Sequence, residues 1–246
     1  MSLRAGGTAP AVVNFAGTVR IVTWNIQFGI GAEGAGSALQ RHDALSGADI
    51  VLLQEMDEKG TALIAEMVGL NYVFAAASIH PKSGRDFGNA VLSPWPLSNA
   101  AIVNLPHKSS VQGQPRIAVR ATASVGPHLI DTCSVHTEVP SLSSPKRREQ
   151  FATIASAIEK WNSEMLVIGG DFNTVTRRGI GAVVDRMATI GAVRASTDAG
   201  TTLRRGGREF TLDHVFARGL MPLDAGVVTG LDASDHRPLW VQFRPS

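Results

Sequence analysis

The stretch Val167-Ile168-Gly169-Gly170-Asp171-Phe172-Asn173 decides how this chain reads. Met165 to Ile168 is a short apolar run of the kind that forms a buried strand. It stops at a glycine pair, which lets the backbone come close to a ligand. Asp171 and Asn173 are two residues apart, so in an extended segment both side chains point the same way. One can hold a water while the other holds a phosphate oxygen. Outward from this stretch the same event recurs. Val19 to Trp24 ends at Asn25, Ile50 to Leu53 leads into Gln54-Glu55, and Leu129 to Val135 ends at His136. Asp213 lies in the run Leu212 to Phe216, and Asp235-His236 stands just before Leu239 to Phe243. One strand that stops at a polar residue is ordinary. Six, well separated along one chain, predict a site assembled at the ends of strands.

Taken singly, most of these residues have plain readings. Asn25 caps a turn, Glu55 is a surface carboxylate, and Gly88-Asn89 is a turn feeding a strand at Ala90 to Leu92. Taken together they have a chemistry. A Glu directly after an apolar run suits Mg²⁺, which prefers oxygen ligands and needs only one or two carboxylates because it keeps several waters. An Asp-His pair favours the cationic imidazole and fixes its tautomer. Either Asp213 or Asp235 could be the partner of His236.

Composition sets the frame. The chain has 246 residues, 44% of them hydrophobic, enough for one large core. A net charge of +2 permits a local basic patch but does not describe a bulk nucleic-acid binder. Cys133 is the single cysteine, so an internal disulfide is excluded, and it reads as a buried strand residue. No apolar run nears 18 residues and no leader is visible, which gives a cytoplasmic expectation.

Residues 1–17, rich in Ala, Gly and Thr, read as a flexible lead-in to one domain over 18–246. Gly29 to Gly36 reads as a loop, and Ala62 to Leu70 and Ile180 to Ile190 as helices. Tyr72 to Ala76 and Ile117 to Ala123 read as further strands. Ser144 as N-cap and Pro145 at the first helical position open a helix whose Phe151, Ile154, Ala155, Ile158 and Trp161 share a face. Strands outnumber helices, which interrupt them irregularly, so two packed sheets with helices outside are expected. His42, His80, His107 and His128 lack metal-ligand spacing and read as surface or satisfied loop residues.

The order of motifs resembles the endonuclease/exonuclease/phosphatase family, which includes DNase I-like nucleases, abasic-site endonucleases, sphingomyelinases, inositol-polyphosphate phosphatases and deadenylases. The likeness runs from about Val19 to Phe243. It implies an α/β fold, a four-layer αββα sandwich of two packed, mostly antiparallel sheets flanked by helices, with the site at one end. It also implies a Mg²⁺-dependent phosphodiesterase or phosphatase, with Mn²⁺ able to substitute, working by in-line water attack. Glu55 would be the principal metal ligand, with Asn25 and Asp235 beside it. Asp171 would orient or deprotonate the water, and Asn173 would hold the scissile phosphate. His236, oriented by Asp213, would stabilise developing charge, and His136 would donate to a non-bridging oxygen. Asn89, Arg116, Arg204 and Arg205 are candidate substrate contacts, although a surface strand start is the simpler reading of Arg116.

Departures from the family narrow the substrate. Gln27 stands where abasic-site endonucleases carry an acidic residue, and Thr201 to Phe210 holds one aromatic where they are aromatic-rich. Asp213 is followed by His214, which reads as a packing residue. Abasic-site cleavage is therefore disfavoured, and the resemblance implies a phosphate ester carried by a nucleic acid, a phosphorylated small molecule or a lipid headgroup. A DNA or RNA nuclease is one alternative, and a catalytically silent binding module is the other. Lys146, Arg147 and Arg148 open a helix, where the dipole disfavours cations. Arg177 and Arg178 follow the Gly-Asp-Phe-Asn stretch closely.

Overall fold

The structure is a computed structural model that describes residues 2–9, 13–81, 83–109 and 113–246. The elements, in chain order, begin with β1 (Leu3–Gly7), β2 (Val19–Asn25), a 3-10 turn (Gln27–Gly29), α1 (Ala32–Arg41), β3 (Ile50–Met56) and α2 (Glu58–Val68). Next come β4 (Asn71–Ile79), β5 (Asp86–Ser93), β6 (Leu97–Lys108), β7 (Pro115–Val125) and β8 (His128–His136). The second half has α3 (Ser144–Glu159), β9 (Met165–Asp171), α4 (Arg177–Ala188) and β10 (Val193–Arg194). It closes with β11 (Leu203–Arg205), β12 (Arg208–Phe210), β13 (Asp213–Arg218), β14 (Leu220–Val227) and β15 (Leu239–Pro245).

The strands form a seven-stranded sheet, β1-β4-β5-β3-β2-β15-β14, and a six-stranded sheet, β10-β13-β9-β8-β7-β6, with β11-β12 as a separate hairpin. Within both sheets only β2–β3 and β8–β9 pair in parallel among the described strands. Period-two alternation explains the layering. In β2 and β3, Ile21, Ile50 and Leu52 face the second sheet, while Val22, Trp24, Val51 and Leu53 face α1 and α2. In β9 and β13, Val167 and Val215 face the first sheet, and Leu166, Ile168 and Phe216 face α3 and α4. Strands with both faces covered read as continuous apolar runs, which is why they were visible in the sequence. Burial of each large side chain such as Trp24, Phe74 or Phe243 stabilises the fold by ~1.5–3 kcal/mol. The four-layer αββα sandwich of mostly antiparallel sheets is as expected.

Three expectations are corrected. Part of the 1–17 lead-in is a strand: β1 pairs antiparallel with β4, from Leu3↔Ala75 to Gly7↔Asn71. Arg4 fastens it to Glu58 and, at 3.0 Å, to Asp86. Residues 1 and 10–12 of that lead-in lie outside the described residues. The Gly29–Gly36 segment is not a loop throughout, because α1 starts at Ala32. Its glycines serve close packing: a Cβ on Gly36 would stand 2.7 Å from Met67 Sδ on α2. Ser143, not Ser144, is the N-cap residue of α3, with Pro145 in the first turn. The edge strands β6 and β14 escaped notice because both are largely exposed and bulged, which blurs alternation. Among the described residues no helix is long and apolar enough to cross a membrane.

Candidate active site

The site forms where β2, β3, β8 and β9 end. The β8–β9 register sets His136 opposite Asp171, and the β9–β13 register sets Asp171 opposite Asp213, so three site residues stand in one row. In the other sheet Asn25 lies opposite Gln54, next to Glu55. Glu55 has φ 57° and sits in the irregularity between Leu53 and Met56 where β3 leaves register with β5. A bulge of this kind re-aims a side chain. Gly170 is required by close approach: a Cβ there would stand 1.9 Å from Val135 O, and its φ is 149°. Asn173 follows with φ 51°.

Hydrogen bonds organise the carboxylates. Asn25 Nδ2 donates to Glu55 Oε1 (3.2 Å) and to Asp171 Oδ2 (3.1 Å). The Phe28 N–H donates to Glu55 Oε2 at 3.2 Å. The Asn173 N–H donates to Asp171 Oδ1 at 2.8 Å. Asn173 Nδ2 donates to Thr137 O at 3.0 Å, which leaves one amide hydrogen for a ligand. Below the site, Gln54 bridges the sheets, its Nε2 within reach of Thr23 Oγ1 (3.2 Å), Leu52 O (3.0 Å) and Ser134 Oγ (3.1 Å), acceptors that share its two hydrogens.

The partner of His236 is Asp213, with Nδ1 and Oδ2 2.8 Å apart. Its other nitrogen, Nε2, lies 3.8 Å from Asp171 Oδ2. Burial pushes this imidazole towards neutrality, but the combined pull of Asp213, Asp171 and Asp235 wins and holds its pKa up at about 10. His236 is therefore a cation at neutral pH. Asp235 is exposed, yet its charge acts on both Glu55 and His236, so it borders the site. Burial raises the pKa of Glu55, against the opposing charge of Arg116. Burial also raises Asp171 to about 7, with His236 opposing.

His136 behaves differently. Burial first, then the charges of Arg116 and His236, push its pKa well below 6.5. Its Nδ1 lies 3.5 Å from Arg116 Nη1. A guanidinium can only donate, so Nδ1 accepts and the ring proton sits on Nε2. That atom lies 3.8 Å from Glu55 Oε1 and 3.7 Å from Asp171 Oδ2.

Two candidate substrate contacts need revision. Arg116 is not a surface strand start: it is buried, its Nε donates to fully buried Glu138 at 3.0 Å, and it stacks over Phe87. Asn89 is buried, and Nδ2 gives its hydrogens to Ile117 O (3.1 Å) and Ser134 O (3.0 Å). It ties the sheets together and has no amide donor left for phosphate. Arg204 and Arg205 are exposed on β11, which touches the site through the bridge Leu203↔His236. His80, read as a surface or satisfied loop residue, is the latter: it is buried against Phe28 and Phe87, with Nδ1 3.2 Å from Ser83 Oγ. His214 is a packing residue, 2.6 Å from Thr174 Oγ1. Cys133 is fully buried, which pushes its thiol up to about 12 and leaves it inert.

Sequence reasoning missed Glu138, the anchor of Arg116, and the part played by Arg147. The latter is buried, and its Nη2 donates to Asn173 O (2.7 Å) and Phe172 O (3.3 Å). Its only signal was a basic residue in the first turn of a helix, where the dipole disfavours it.

Carboxylates at strand ends and a cationic Asp-His pair thus share one end of a four-layer sandwich. The chain belongs to the endonuclease/exonuclease/phosphatase family, whose model matches residues 22–236. It is 30% identical over 155 residues to a UPF0294 protein of Vibrio cholerae, covering 62% of this chain and 48% of that one. The chain thus spans about half the length of this curated relative. In structure it is similar to a family protein from Leptotrichia buccalis (TM-score 0.70, 17% identity, 92% of this chain and 99% of that one). It is similar also to humanized D. rerio TDP2 (TM-score 0.69, 17% identity, 93% and 99%). At such identities the likeness is one of fold.

Proposed function

We propose that this protein is a divalent-cation-dependent phosphodiesterase or phosphatase that hydrolyses its substrate by in-line attack of water. The observation that carries the reading is the arrangement around Asp171: a carboxylate between a neutral imidazole (His136), a cationic imidazole (His236) and the amide of Asn25. Asp171, made basic by burial, orients the water and takes its proton. The free amide hydrogen of Asn173 holds a phosphate oxygen. His236, kept cationic by Asp213, and the Nε2–H of His136 stabilise charge that develops on the phosphoryl oxygens.

The donor set fits a hard cation. Glu55 is a carboxylate only 16% exposed, with Asp235 acting on it from the rim. Mg²⁺, with Mn²⁺ as substitute, would be held by Glu55 with Asn25 and Asp235, and when bound it supplies charge neutralisation for phosphate and leaving oxygen. Asp171, Asp213 and His236 also bring ligand atoms within 4.8 Å of one another. We favour Glu55, because a cationic imidazole already bonded to Asp213 is a poor metal ligand.

Hydrolysis of bis-p-nitrophenyl phosphate tests the reading, with Mg²⁺, Mn²⁺ or EDTA. Turnover should need the cation and fall by at least ~10³-fold in Asp171→Asn and His236→Ala. Retained turnover in both folded variants refutes the roles. A nuclease is the second reading, supported by exposed Lys146, Arg148, Arg177 and Arg178 at the starts of α3 and α4, neither of which has an acidic residue in its first turn. A steep loss of oligonucleotide affinity with salt would favour it.

A further inference from the structure

The turn after β2 carries an unusual backbone. Gln27, Phe28 and Gly29 have φ of 40°, 63° and 67°. For a bulky residue the left-handed region is an outlier. The turn is fastened at both ends: the Phe28 N–H donates to Glu55, and Phe28 O accepts from Arg85 Nη2 at 2.7 Å. Arg85 is itself 3.0 Å from Asp57. Support of Glu55 needs only a backbone N–H, which glycine would supply without strain. The aromatic ring at this position is therefore left without a role in the chemistry proposed above.

The surroundings of the ring supply one. Phe28 lies 4.4 Å, centroid to centroid, from His80 and 5.9 Å from Phe87. Phe87 lies 5.8 Å from His136 and carries the Arg116 guanidinium 5.1 Å from its centroid. A row of flat groups thus runs from His136 outward. Phe87 and His80 are buried, whereas Phe28 is half-buried and ends the row. On the hairpin bridged to His236, Arg204, Arg205 and Arg208 are exposed, so the same site end offers cations to further phosphates.

We infer that Phe28 is the outer wall of a stacking subsite for a nucleobase next to the scissile phosphate, so that the substrate is a nucleoside phosphodiester. The inference rests on the phosphoesterase reading above. Stacking on an aromatic face is tolerant of base identity and is the common device for holding single-stranded nucleic acid. Exposed Ile30 and Ile79 on the same end offer an alkyl chain an alternative seat, and the experiment separates the two.

The test uses the full chain, calorimetric titration and three probes: thymidine 5′-monophosphate, methyl phosphate and hexyl phosphate. Turnover of thymidine 5′-p-nitrophenyl phosphate and methyl p-nitrophenyl phosphate is measured in parallel. The nucleotide should bind about tenfold tighter than methyl phosphate. Phe28→Ala and Phe28→Leu should erase that ratio and Phe28→Tyr restore it, with thermal melts showing that each variant is folded. In turnover the loss should lie in KM for the nucleoside ester. Equal binding of nucleotide and methyl phosphate, a ratio unchanged in both Phe28→Ala and Phe28→Leu, or tightest binding of hexyl phosphate overturns the inference. Turnover without nucleotide preference sinks the subsite and spares the catalytic reading. Phe28-dependent nucleotide binding without turnover does the reverse.

Discussion

Replacing Arg147 with Met tests whether the Gly-Asp-Phe-Asn stretch is held from behind by α3. Arg147 is 8% exposed, and its Nη2 donates to Asn173 O and Phe172 O at 2.7 and 3.3 Å. A hydrogen bond from a charged donor contributes about 1.5–3 kcal/mol. The shorter bond earns most of that and the longer one less, so the gross loss is ~3–4 kcal/mol. An opposing effect reduces it. Burial already pulls the Arg147 pKa down, so Met removes a desolvation cost while filling similar volume. The net expectation is a loss of ~2–3 kcal/mol in urea unfolding, or a fall in melting temperature of roughly 5–10 °C for a chain of this size. Activity should fall further than stability suggests, because the bond to its carbonyl is one of three that hold Asn173 at φ 51°. A small displacement at the phosphate costs ~10–100-fold in kcat. Arg147→Lys keeps one donor in reach of Asn173 O and should recover part of both losses. If Arg147→Met lies within ~0.5 kcal/mol of wild type with kcat within about twofold, the support argument is wrong.

The remaining expectations are simpler. Gly170→Ala should fold poorly or lose roughly 3–5 kcal/mol by urea unfolding, since its Cβ would stand 1.9 Å from Val135 O; a soluble variant of wild-type melting temperature would contradict the close-approach argument. In EDTA, His236, with its folded pKa raised to about 10, contributes stability that is full below pH 6.5 and is lost as pH rises towards 10. His136 and His214, held neutral mainly by burial, act with the opposite sign: as pH falls below 6.5 the unfolded chain takes up protons that the fold refuses. Asp171 and Glu55, raised mainly by burial, oppose these histidines on the acid side, so the test is a difference between variants: His214→Leu should shift the acid-side slope in favour of the fold by up to ~1.4 kcal/mol per pH unit. An unchanged acid slope in that variant would mean that His214 titrates normally. Trp24→Phe removes the bond from Nε1 to His236 O (2.9 Å) and should cost ~1 kcal/mol in urea unfolding, with a lowered kcat from a less firmly held His236.

What could be read from the sequence follows from burial. Strands β3 and β9 are covered on both faces, so their apolar runs were unmistakable and their polar ends stood out, while β2 and β8 carry polar residues within the strand. The helix α1 was hidden by its own packing, because Gly34 and Gly36 read as loop residues when taken without the neighbours they admit. Arg116 and Asn89 were misjudged for a different reason. A buried cation is recognisable only beside its counter-charge, and Glu138 is 22 residues away. An amide in a Gly-Asn pair gives no sign that two carbonyls of another sheet will consume it.

The position of the site follows from strand direction. Parallel neighbours end on the same rim, and among the described strands each of the two large sheets has one such pair: β2 and β3 bring Asn25 and Glu55 together, and β8 and β9 bring His136 and Asp171. An antiparallel neighbour runs the other way, so it must deliver its first residues to that rim. The strand β13 begins at Asp213 opposite Asp171, β15 begins just after His236, and β7 begins beside Arg116. Asn25, Glu55, His136 and Asp171 therefore stand at the ends of parallel strands, and Asp213, His236 and Arg116 at or just before the starts of antiparallel ones, while Arg147 reaches Asn173 from α3. Asp213 and His236 were found because each stands beside another polar residue. Arg116 lacked such a neighbour, so although named as a candidate contact it read more simply as a surface strand start until the direction of its partner strand was known.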